Sequence, residues 1–377
     1  MVNRAITRLI TDKLNTGKAI LLFGPRQTGK TTLLHQILDE RQDVMWLSGD
    51  EADVRQLFEN ASSTRLKSVF GTNRIIVIDE AQRIVNIGLS LKLITDQLND
   101  IQLIATGSSA LELANRTQEP LTGRKWEYFL YPLSFGEMVA HHGLLEEKRM
   151  IPQRLIYGCY PEIVNNPGKE KDILKQLTDS FLYKDILMLE GFKKPSKLIS
   201  LLQALAFQTG NEVSYNELGR TIGLDNQTVE RYIDLLEKTY VIFRVGAFSR
   251  NLRKELKRGR KIYFYDNGVR NALIAQFSPI ELRPDKGALW ENYLMAERRK
   301  YNAYKGSWVN AHFWRTQDQQ EIDYVEEQDG NFFAWEFKWN PEAKARLSKT
   351  FANAYPNSVF NVVTPHNAEE FLTDNGK

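Results

Sequence analysis

The strongest chemical signal in the chain is a glycine-rich segment between an apolar run and a helical pattern. Residues 24–31 read GPRQTGKT, which matches the phosphate-binding pattern G-x-x-x-x-G-K-[ST]. The apolar run at residues 19–23 predicts a buried strand, and residues 32–38 continue with helical spacing. In such a loop, backbone N–H groups and the positive end of the helix dipole converge on phosphate oxygens. The predicted nucleotide-binding residues are therefore Gly24, Pro25, Arg26, Gln27, Thr28, Gly29, Lys30, Thr31 and Thr32.

Two side chains of this loop have expected roles on a bound nucleotide. Lys30 is expected to reach the β- and γ-phosphates, and the Thr31 hydroxyl is expected to ligate Mg2+. The expected cofactors are therefore ATP and Mg2+. The alternative is a chance glycine turn before a helix, but the pattern stands in the strand–loop–helix context that a phosphate loop requires.

A pair of acids follows the next strongly apolar run. Residues 74–81 read RIIVIDEA, and the four β-branched residues before Asp79 and Glu80 predict a central parallel strand. The carboxyl end of such a strand lies beside the phosphate loop. Asp79 is expected to hold the magnesium shell, and Glu80 is expected to orient or deprotonate the attacking water. The alternative is two ordinary acids that open the next loop.

Two further polar residues are candidates for the reaction. Residues 101–105 predict a third core strand, and Ser108 after it is selected as a contact to the γ-phosphate or the water. A plain turn or helix cap at Ser108 is the alternative. Arg124 is a candidate for stabilising charge on the transferred phosphoryl group, in cis or from a neighbouring subunit. The alternative for Arg124 is a solvated loop arginine.

Length and composition set bounds on the rest of the chain. With 377 residues, of which 42% are apolar, two or three domains with separate cores are expected. The single cysteine, Cys159, excludes an intramolecular disulfide and suits a reducing compartment. The first residues lack the apolar core of a signal peptide, and no apolar run approaches the ~18 residues of a membrane span. A soluble, cytoplasmic protein without a membrane partner is therefore expected. The net charge of +3 is too small to indicate a polyanion partner by itself.

Several segments together resemble a known family. GPRQTGKTTLL, IVIDEAQRI, IATGSSALEL and GRKWEYFLYPLSFGE, with CYPEIV at residues 159–164, are similar to the AAA-type ATPase domain of a large prokaryotic family. Its members are ATP-binding proteins that carry a C-terminal DUF4143 domain, and the resemblance covers essentially the whole chain. It implies an AAA-like parallel sheet with helices on both faces for residues 1–150. The alternation of strand and helix patterns indicates the same α/β fold independently.

The middle part, residues 151–266, reads as a helical linker followed by a winged helix-turn-helix. A short helix is predicted at residues 215–222, and Asp225 is the expected N-cap of a longer helix after it. Two apolar strands are predicted at residues 240–245 and 261–265.

Basic residues cluster between those two strands. The segment SRNLRKELKRGR sets six cations against a single acid. At the wing of such a fold, these cations would straddle a phosphate backbone, while Asn226 and Gln227 face a groove. A protein-binding module with a solvated basic hairpin is the alternative. The candidate contacts to double-stranded DNA are Arg231, Arg250, Arg253, Lys254, Lys257 and Arg258.

The last part, residues 267–377, has acids and a lysine in an order that resembles the PD-(D/E)XK nuclease fold. Glu291 is the candidate helix acid, Asp323 comes next, and Glu336 and Lys338 stand two residues apart on one strand face. In that fold, carboxylates hold Mg2+ and the lysine steadies the water or the developing charge. No proline directly precedes Asp323, and a charged hairpin without cleavage activity is the alternative.

Three functions are compatible with these motifs. The leading hypothesis is a Mg-dependent ATPase whose P-loop domain transmits its nucleotide state through the winged helix to the C-terminal region. The second is a nucleotide-gated switch for a protein partner, with little hydrolysis. The third is an ATP-assisted DNA nuclease. A homo-oligomer or another protein partner is compatible with each.

Overall fold

The chain folds into two units, each with its own sheet. The computed structural model describes residues 2–59, 61–108, 121–181, 195–249 and 259–373. Asn3–Pro132 and Lys238–Tyr240 form the P-loop unit. Leu133–Glu237 and Val241–Lys377, with the first two residues, form the C-terminal unit. Within the described ranges, no helix is long and apolar enough to cross a membrane.

A parallel sheet organises the P-loop unit. Its described strands follow the order β2-β3-β4-β1-β5, and every neighbouring pair is parallel. The central strands β1 and β3 are buried along almost their whole length, which explains their uninterrupted apolar sequences. Because all the strands run in one direction, their carboxyl ends meet at one edge of the sheet. The strands are β1 (Ala19–Phe23), β2 (Val44–Ser48), β3 (Ile75–Asp79), β4 (Gln102–Gly107) and β5 (Lys125–Phe129).

Helices pack against this sheet and complete its core. Leu21 of β1, Ile76 of β3 and Leu91 of the last described helix of this unit belong to one buried cluster. The predicted α/β fold with a P-loop and a parallel sheet is therefore confirmed. The described helices of the unit are α1 (Ile6–Thr11), α2 (Lys30–Leu38), α3 (Ala52–Glu59), α4 (Ser63–Phe70) and α5 (Ile87–Gln97), with a 3-10 turn at Ala81–Arg83.

The C-terminal unit begins with a helical region that leads to a helix pair. The pair is α11 (Tyr215–Ile222) and α12 (Asn226–Lys238). The Asp225 carboxylate accepts hydrogen bonds from the backbone N–H and hydroxyl of Thr228, at 2.9 and 2.6 Å, and so caps α12 as expected. The other described helices are α6 (Phe135–His142), α7 (Leu144–Tyr157), α8 (Pro161–Asn165), α9 (Glu170–Phe181), α10 (Pro195–Phe207), α13 (Asn267–Leu273), α14 (Lys286–Lys305), α15 (Lys349–Ala354) and α16 (Ala368–Leu372).

One mixed sheet runs through the C-terminal unit. Its described strands follow the order β12-β11-β10-β9-β7-β8-β6. Strand β7 pairs in parallel with β9, so strands on either side of residue 266 belong to the same sheet. The division into residues 1–150, 151–266 and 267–377 stays a prediction. The strands are β6 (Glu212–Val213), β7 (Ile242–Ala247), β8 (Arg260–Phe264), β9 (Asn310–Arg315), β10 (Glu321–Gln328), β11 (Asn331–Phe337) and β12 (Val359–Val363).

Candidate nucleotide site and acidic cluster

The phosphate loop connects β1 to α2 at the carboxyl edge of the parallel sheet. Gly24 has a φ of 148°, and a Cβ at this position would lie 2.2 Å from the backbone oxygen of Leu130. Gly29 precedes α2 with a φ of 89°, in the left-handed region that glycine adopts without strain. The backbone conformation at positions 24 and 29 therefore requires glycine. Three other predicted contacts lie toward the surface, namely the half-buried Arg26 and the exposed Gln27 and Thr32.

Hydrogen bonds inside the loop hold its shape. The Thr28 hydroxyl donates to the backbone oxygen of Pro25 at 2.9 Å. The buried Arg4 guanidinium donates to the backbone oxygens of Thr28 and Tyr131, at 2.7 and 2.6 Å. The sequence did not predict this role for Arg4, because a single arginine in a short amphipathic segment carries no signal for a distant loop.

Lys30 directs its ammonium group into the loop. Its Nζ donates to the backbone oxygens of Gly24 and Pro25, both at 2.8 Å, and the residue is 6% exposed. A buried ammonium needs such partners because desolvation disfavours an isolated charge. The contacts place a positive charge at the loop, where the predicted role of Lys30 on the phosphates requires it.

The Thr31 hydroxyl and the Asp79 carboxylate are in direct contact. Thr31 Oγ1 donates to Asp79 Oδ2 at 2.9 Å, and Thr106 Oγ1 donates to Asp79 Oδ1. The backbone N–H of Glu80 lies 3.2 Å from both Asp79 Oδ1 and Thr106 Oγ1. Thr106 was not selected from the sequence, although it lies on the strand end from which Ser108 was chosen. Polar groups from three chain segments therefore converge at the strand ends.

This donor set fits a magnesium ion that binds together with a nucleotide. Proteins usually hold Mg2+ with one or two oxygen ligands, while phosphate oxygens and water complete its shell. The Thr31 hydroxyl and the Asp79 carboxylate are hard oxygen donors that lie side by side. The Thr31 side chain is also exposed, so a nucleotide phosphate has access to it.

Gln82 links the predicted catalytic acid to Ser108. Its Nε2 donates to the Glu80 carboxylate and to the Ser108 hydroxyl, the latter at 3.1 Å. Its Oε1 is buried and has no hydrogen-bond partner among the described residues. Glu80 itself has a φ of 50°, a left-handed conformation that is uncommon for glutamate. Gln82 was not predicted, although it follows the acid pair by only two residues.

Arg124 lies at the opposite edge of the parallel sheet. Its backbone oxygen accepts the N–H of Ala19 at the amino end of β1, and its guanidinium pairs with Asp96. The phosphate loop follows the carboxyl end of the same strand, a rise of ~13 Å along five residues. A role for Arg124 on the phosphates of its own chain is therefore wrong. A role across a subunit interface stays a prediction.

In the C-terminal unit, the structure brings together the residues of the nuclease-like pattern. Asp323 on β10 accepts the backbone N–H of Phe337 at 2.7 Å, and Lys338 Nζ donates to Glu336 at 2.7 Å. Burial and the charges of Glu291 and Glu336 raise the pKa of Asp323 to about 8. The helix acid, the hairpin acid and the lysine therefore share one site, which is called the acidic cluster below.

Two residues that the sequence did not single out complete the acidic cluster. Lys261 and Tyr263 are two positions apart on β8 and therefore share a face. Lys261 Nζ lies 3.0 Å from Glu291 Oε1 and 2.5 Å from Glu321 Oε1, and the Tyr263 hydroxyl donates to Glu291 Oε1 at 2.7 Å. Burial alone would lower the pKa of Lys261, but Glu291 and Glu321 raise it, so the lysine is charged.

Protein donors engage the carboxylates of the acidic cluster. Glu291 Oε1 already accepts an ammonium and a phenol, Asp323 accepts the N–H of Phe337, and Glu336 accepts Lys338. Within residues 2–59, 61–108, 121–181, 195–249 and 259–373, no group of three or more His, Cys, Asp or Glu side chains could hold a metal ion. This geometry gives no support to the expectation that these carboxylates hold Mg2+, which stays a prediction.

Among the candidate DNA contacts, Arg231 lies in the described part of the chain. It is exposed on α12, as are Asn226 and Gln227. Arg260, at the start of β8, pairs with Glu230 at 3.6 Å. The remaining candidates lie outside the described residues and are Arg250, Arg253, Lys254, Lys257 and Arg258.

Three family models match successive parts of the chain. An AAA domain matches residues 16–139, a domain of unknown function (DUF8612) matches residues 148–280, and a further one (DUF4143) matches residues 286–376. The AAA and DUF4143 matches confirm the resemblance identified from the sequence. The DUF8612 match was not predicted, and it covers the region that reads as a helical linker and winged helix.

Relatives and a solved structure are similar over most of the chain. An uncharacterized protein of Haemophilus influenzae is 27% identical over 340 residues, which covers 81% of this chain and 78% of the relative. An uncharacterized protein of Mycobacterium tuberculosis is 26% identical over 330 residues, which covers 86% and 71%. The Walker-type ATPase of Pyrococcus abyssi has a similar fold, with a TM-score of 0.50 at 16% identity over 73% of this chain and 96% of that chain. The phosphate loop, the parallel sheet and these matches together identify an AAA-type P-loop domain at residues 16–139 and a DUF4143 domain at residues 286–376, as the resemblance implied.

Proposed function

We propose that the protein is a Mg-dependent ATPase that binds ATP at residues 24–32 and hydrolyses the γ-phosphate. The observation that carries this proposal is the 2.9 Å contact between the Thr31 hydroxyl and Asp79, beside the Lys30 ammonium. A P-loop hydroxyl and a strand-end aspartate in contact are the protein groups that hold Mg2+ in P-loop NTPases. Glu80 follows Asp79 directly and supplies the base that hydrolysis needs.

Each residue of the site has a distinct role in this proposal. The loop N–H groups and Lys30 bind the β- and γ-phosphates and stabilise the charge that develops on their oxygens. Thr31 and Asp79 would hold Mg2+, which neutralises charge on the phosphate oxygens when it is bound. The Glu80 carboxylate accepts a proton from the attacking water as the water oxygen bonds to the γ-phosphorus and the bond to the ADP oxygen breaks.

Gln82 and Ser108 are positioning residues for Glu80 in this proposal. The Gln82 amide bridges the Glu80 carboxylate and the Ser108 hydroxyl. A buried amide with two such contacts restricts the rotamers of the carboxylate. When the water binds, the Glu80 carboxylate either keeps the hydrogen bond from Gln82 or exchanges it for one from the water. Gln82 therefore affects the rate of the chemical step.

Substitution of the base and the loop lysine tests the proposal. Glu80→Gln should abolish phosphate release and retain ATP affinity, whereas Lys30→Ala should lose ATP affinity. Phosphate release and nucleotide binding by titration calorimetry distinguish these losses. Glu127→Gln is the matched control, because Glu127 is exposed on β5 and pairs with Lys125. Absence of ATP and ADP binding to the wild-type protein with Mg2+ would overturn the proposal.

One observation favours the second candidate function, a nucleotide-gated switch with little hydrolysis. The Gln82 amide donates to Glu80 Oε2, so while this bond persists the carboxylate offers water mainly its other oxygen, which weakens it as a base. In a pure switch, the wild-type protein binds ATP but releases phosphate no faster than Glu80→Gln does. The same two assays therefore separate the switch from the ATPase.

We propose further that residues 151–266 contain a winged helix-turn-helix that binds double-stranded DNA and links it to the nucleotide state. The helix pair α11 and α12, followed by the antiparallel strands β7 and β8, supports this reading. Arg231, Asn226 and Gln227 are exposed on α12, as a groove contact requires.

Phosphate release with and without duplex DNA at low salt tests the proposed DNA binding. The expected result is stimulation by DNA that is lost when Arg253, Lys254 and Lys257 are all changed to glutamate, and that declines with added salt. Arg149→Glu on α7 is a control for the loss of an exposed arginine elsewhere, since Arg149 is exposed and pairs with Glu146 on its own helix. Absence of DNA binding at low salt would end this part of the proposal and leave the ATPase untouched.

The order of elements after residue 285 also supports a likeness to the PD-(D/E)XK fold. Helix α14 is followed by the strands β9, β10 and β11, and then by α15 and β12. We propose this likeness for the fold alone, because a fold does not carry its usual chemistry with it. The chemistry depends on the state of the acidic cluster.

A further inference from the structure

Lys261 lies between Glu291 of the acidic cluster and a second glutamate, Glu321. Its ammonium nitrogen lies 3.0 Å from Glu291 Oε1 on α14 and 2.5 Å from Glu321 Oε1 on β10. The Lys261 side chain is 3% exposed, so these carboxylates replace the water that the ammonium has lost. Phe313 closes one side, with its ring centroid 5.4 Å from the ammonium.

Neighbouring side chains also hold the two glutamate partners of Lys261 in place. The Tyr263 hydroxyl, on the same face of β8, donates to the carboxylate oxygen of Glu291 that accepts Lys261. Arg315 lies 3.8 Å from the other oxygen of Glu321 and 3.3 Å from Glu212. Each glutamate that contacts the ammonium is therefore also held by a second group of the protein.

A divalent cation and this ammonium cannot both lie between Glu291 and Glu321. Mg2+ requires its oxygen ligands at about 2.0–2.1 Å, and Ca2+ requires them at about 2.3–2.6 Å, in a shell of six or more. A metal between Glu291 and Glu321 would lie where the Lys261 nitrogen lies. Two cations cannot occupy this one position together, and their repulsion adds to the steric exclusion.

We infer that Lys261 is the resident cation of the acidic cluster and takes the place of a metal ion there. Lys261 then joins β8 to α14 and β10 by ion pairs, and Glu291 does not serve as the helix acid of a metal site. This inference is independent of the proposed ATPase, because it concerns residues of the C-terminal unit alone. It removes the predicted helix acid from the third hypothesis drawn from the sequence, an ATP-assisted nuclease.

The test measures Mn2+ binding by electron paramagnetic resonance in nucleotide-free protein, in which the P-loop lacks the phosphate oxygens that complete its metal shell. Wild-type protein should bind no Mn2+ at the cluster. Lys261→Met keeps the length of the side chain without its charge, and it should create a site for about one Mn2+ per chain. Its melting temperature should fall without metal and rise again when Mn2+ is added, because the metal then pairs the exposed carboxylates.

Two further variants make the result specific. Arg260→Met removes a cation from the neighbouring position of β8, where Arg260 pairs with Glu230, and should bind no Mn2+. Lys261→Met combined with Glu291→Gln should lose the site that Lys261→Met creates.

Two outcomes would overturn the inference. One is a Mn2+ site in the wild-type protein that Glu291→Gln removes, and the other is a folded Lys261→Met protein that binds no Mn2+. If Lys261→Met does not fold, the wild-type measurement decides alone. In that case, the absence of a nucleotide-independent Mn2+ site in the wild-type protein supports the inference, and a Mn2+ site that Glu291→Gln removes overturns it.

Discussion

The Thr31 hydroxyl donates a 2.9 Å hydrogen bond to Asp79, although 48 residues separate them in the chain. The two residues meet because the loop after β1 and the end of β3 lie at the same edge of one parallel sheet. Strand β4 lies between β1 and β3 and contributes Thr106, which also donates to Asp79. The sheet order therefore assembles the nucleotide site from three separate segments.

Asp79→Asn should reduce phosphate release by about 10–100-fold, a loss typical of altered groups around a bound metal. The amide removes the negative charge that the proposal assigns to the magnesium shell, while its shape is retained. Steady-state phosphate release at varied Mg2+ measures the effect. Asp96→Asn is the control, because Asp96 pairs with Arg124 at the opposite edge of the sheet. Equal turnover in Asp79→Asn and wild-type protein would contradict the assigned role.

Gln82→Ala should lower turnover by about tenfold and leave the affinity for ATP unchanged. The variant removes the amide that joins Glu80 to Ser108, so the carboxylate loses a fixed position. Single-turnover hydrolysis and nucleotide titration separate the two quantities. Gln97→Ala, at an exposed position on α5, is the control. Faster hydrolysis in Gln82→Ala would show instead that Gln82 restrains Glu80.

Gly24→Ala should destabilise the P-loop unit and abolish ATP binding. Its φ of 148° costs about 1–3 kcal/mol for a residue with a Cβ. The new methyl group would also collide with the backbone oxygen of Leu130, 2.2 Å away. Urea unfolding and nucleotide titration measure the two losses. Gly136→Ala is the control, since its Cβ on α6 meets open space and should change stability by no more than about 1 kcal/mol. Unchanged ATP binding in Gly24→Ala would contradict the geometry of the loop.

Asp323→Asn should become increasingly more stable than wild-type protein as the pH rises from about 4 to about 8. Burial, Glu291 and Glu336 raise the pKa of Asp323 from its ordinary 3.8 to about 8. Between these values the folded state retains a proton that the unfolded state releases, so wild-type stability falls with rising pH. Asparagine stays neutral and removes this dependence. Melting temperatures across this range measure the difference, and the exposed Asp318→Asn is the control. A difference that does not vary with pH would contradict the shifted pKa.

The local elements of both sites could be predicted from the sequence. The helix predicted at residues 215–222 is α11, and the acid pair follows the buried strand β3 as expected. Glycine spacing and apolar runs are local signals, because each depends on a few consecutive residues and on the period of one helix or strand. The same alternation of strand residues correctly placed Glu336 beside Lys338.

Contacts between distant segments could not be predicted in this way. Lys261 appears in the sequence as the first residue of the strand predicted at residues 261–265, and nothing in its spacing indicates Glu291, 30 residues later. Thr106 and Arg4 likewise have roles that depend on a partner far away in the chain. Arg124 was placed near the phosphates, but it follows a loop that enters β5 at the amino edge of the sheet.

The sequence by itself determined the phosphate loop, the acid pair after β3 and the resemblance to AAA-type and DUF4143 domains, because each depends on consecutive residues whose backbone or side-chain chemistry is needed locally. Only the tertiary structure decided which polar groups surround Asp79, that Arg124 lies away from its own phosphate loop, and that Lys261 pairs with Glu291 and Glu321. These relationships depend on strand order and on the packing of α14 against β8, which residue spacing does not specify.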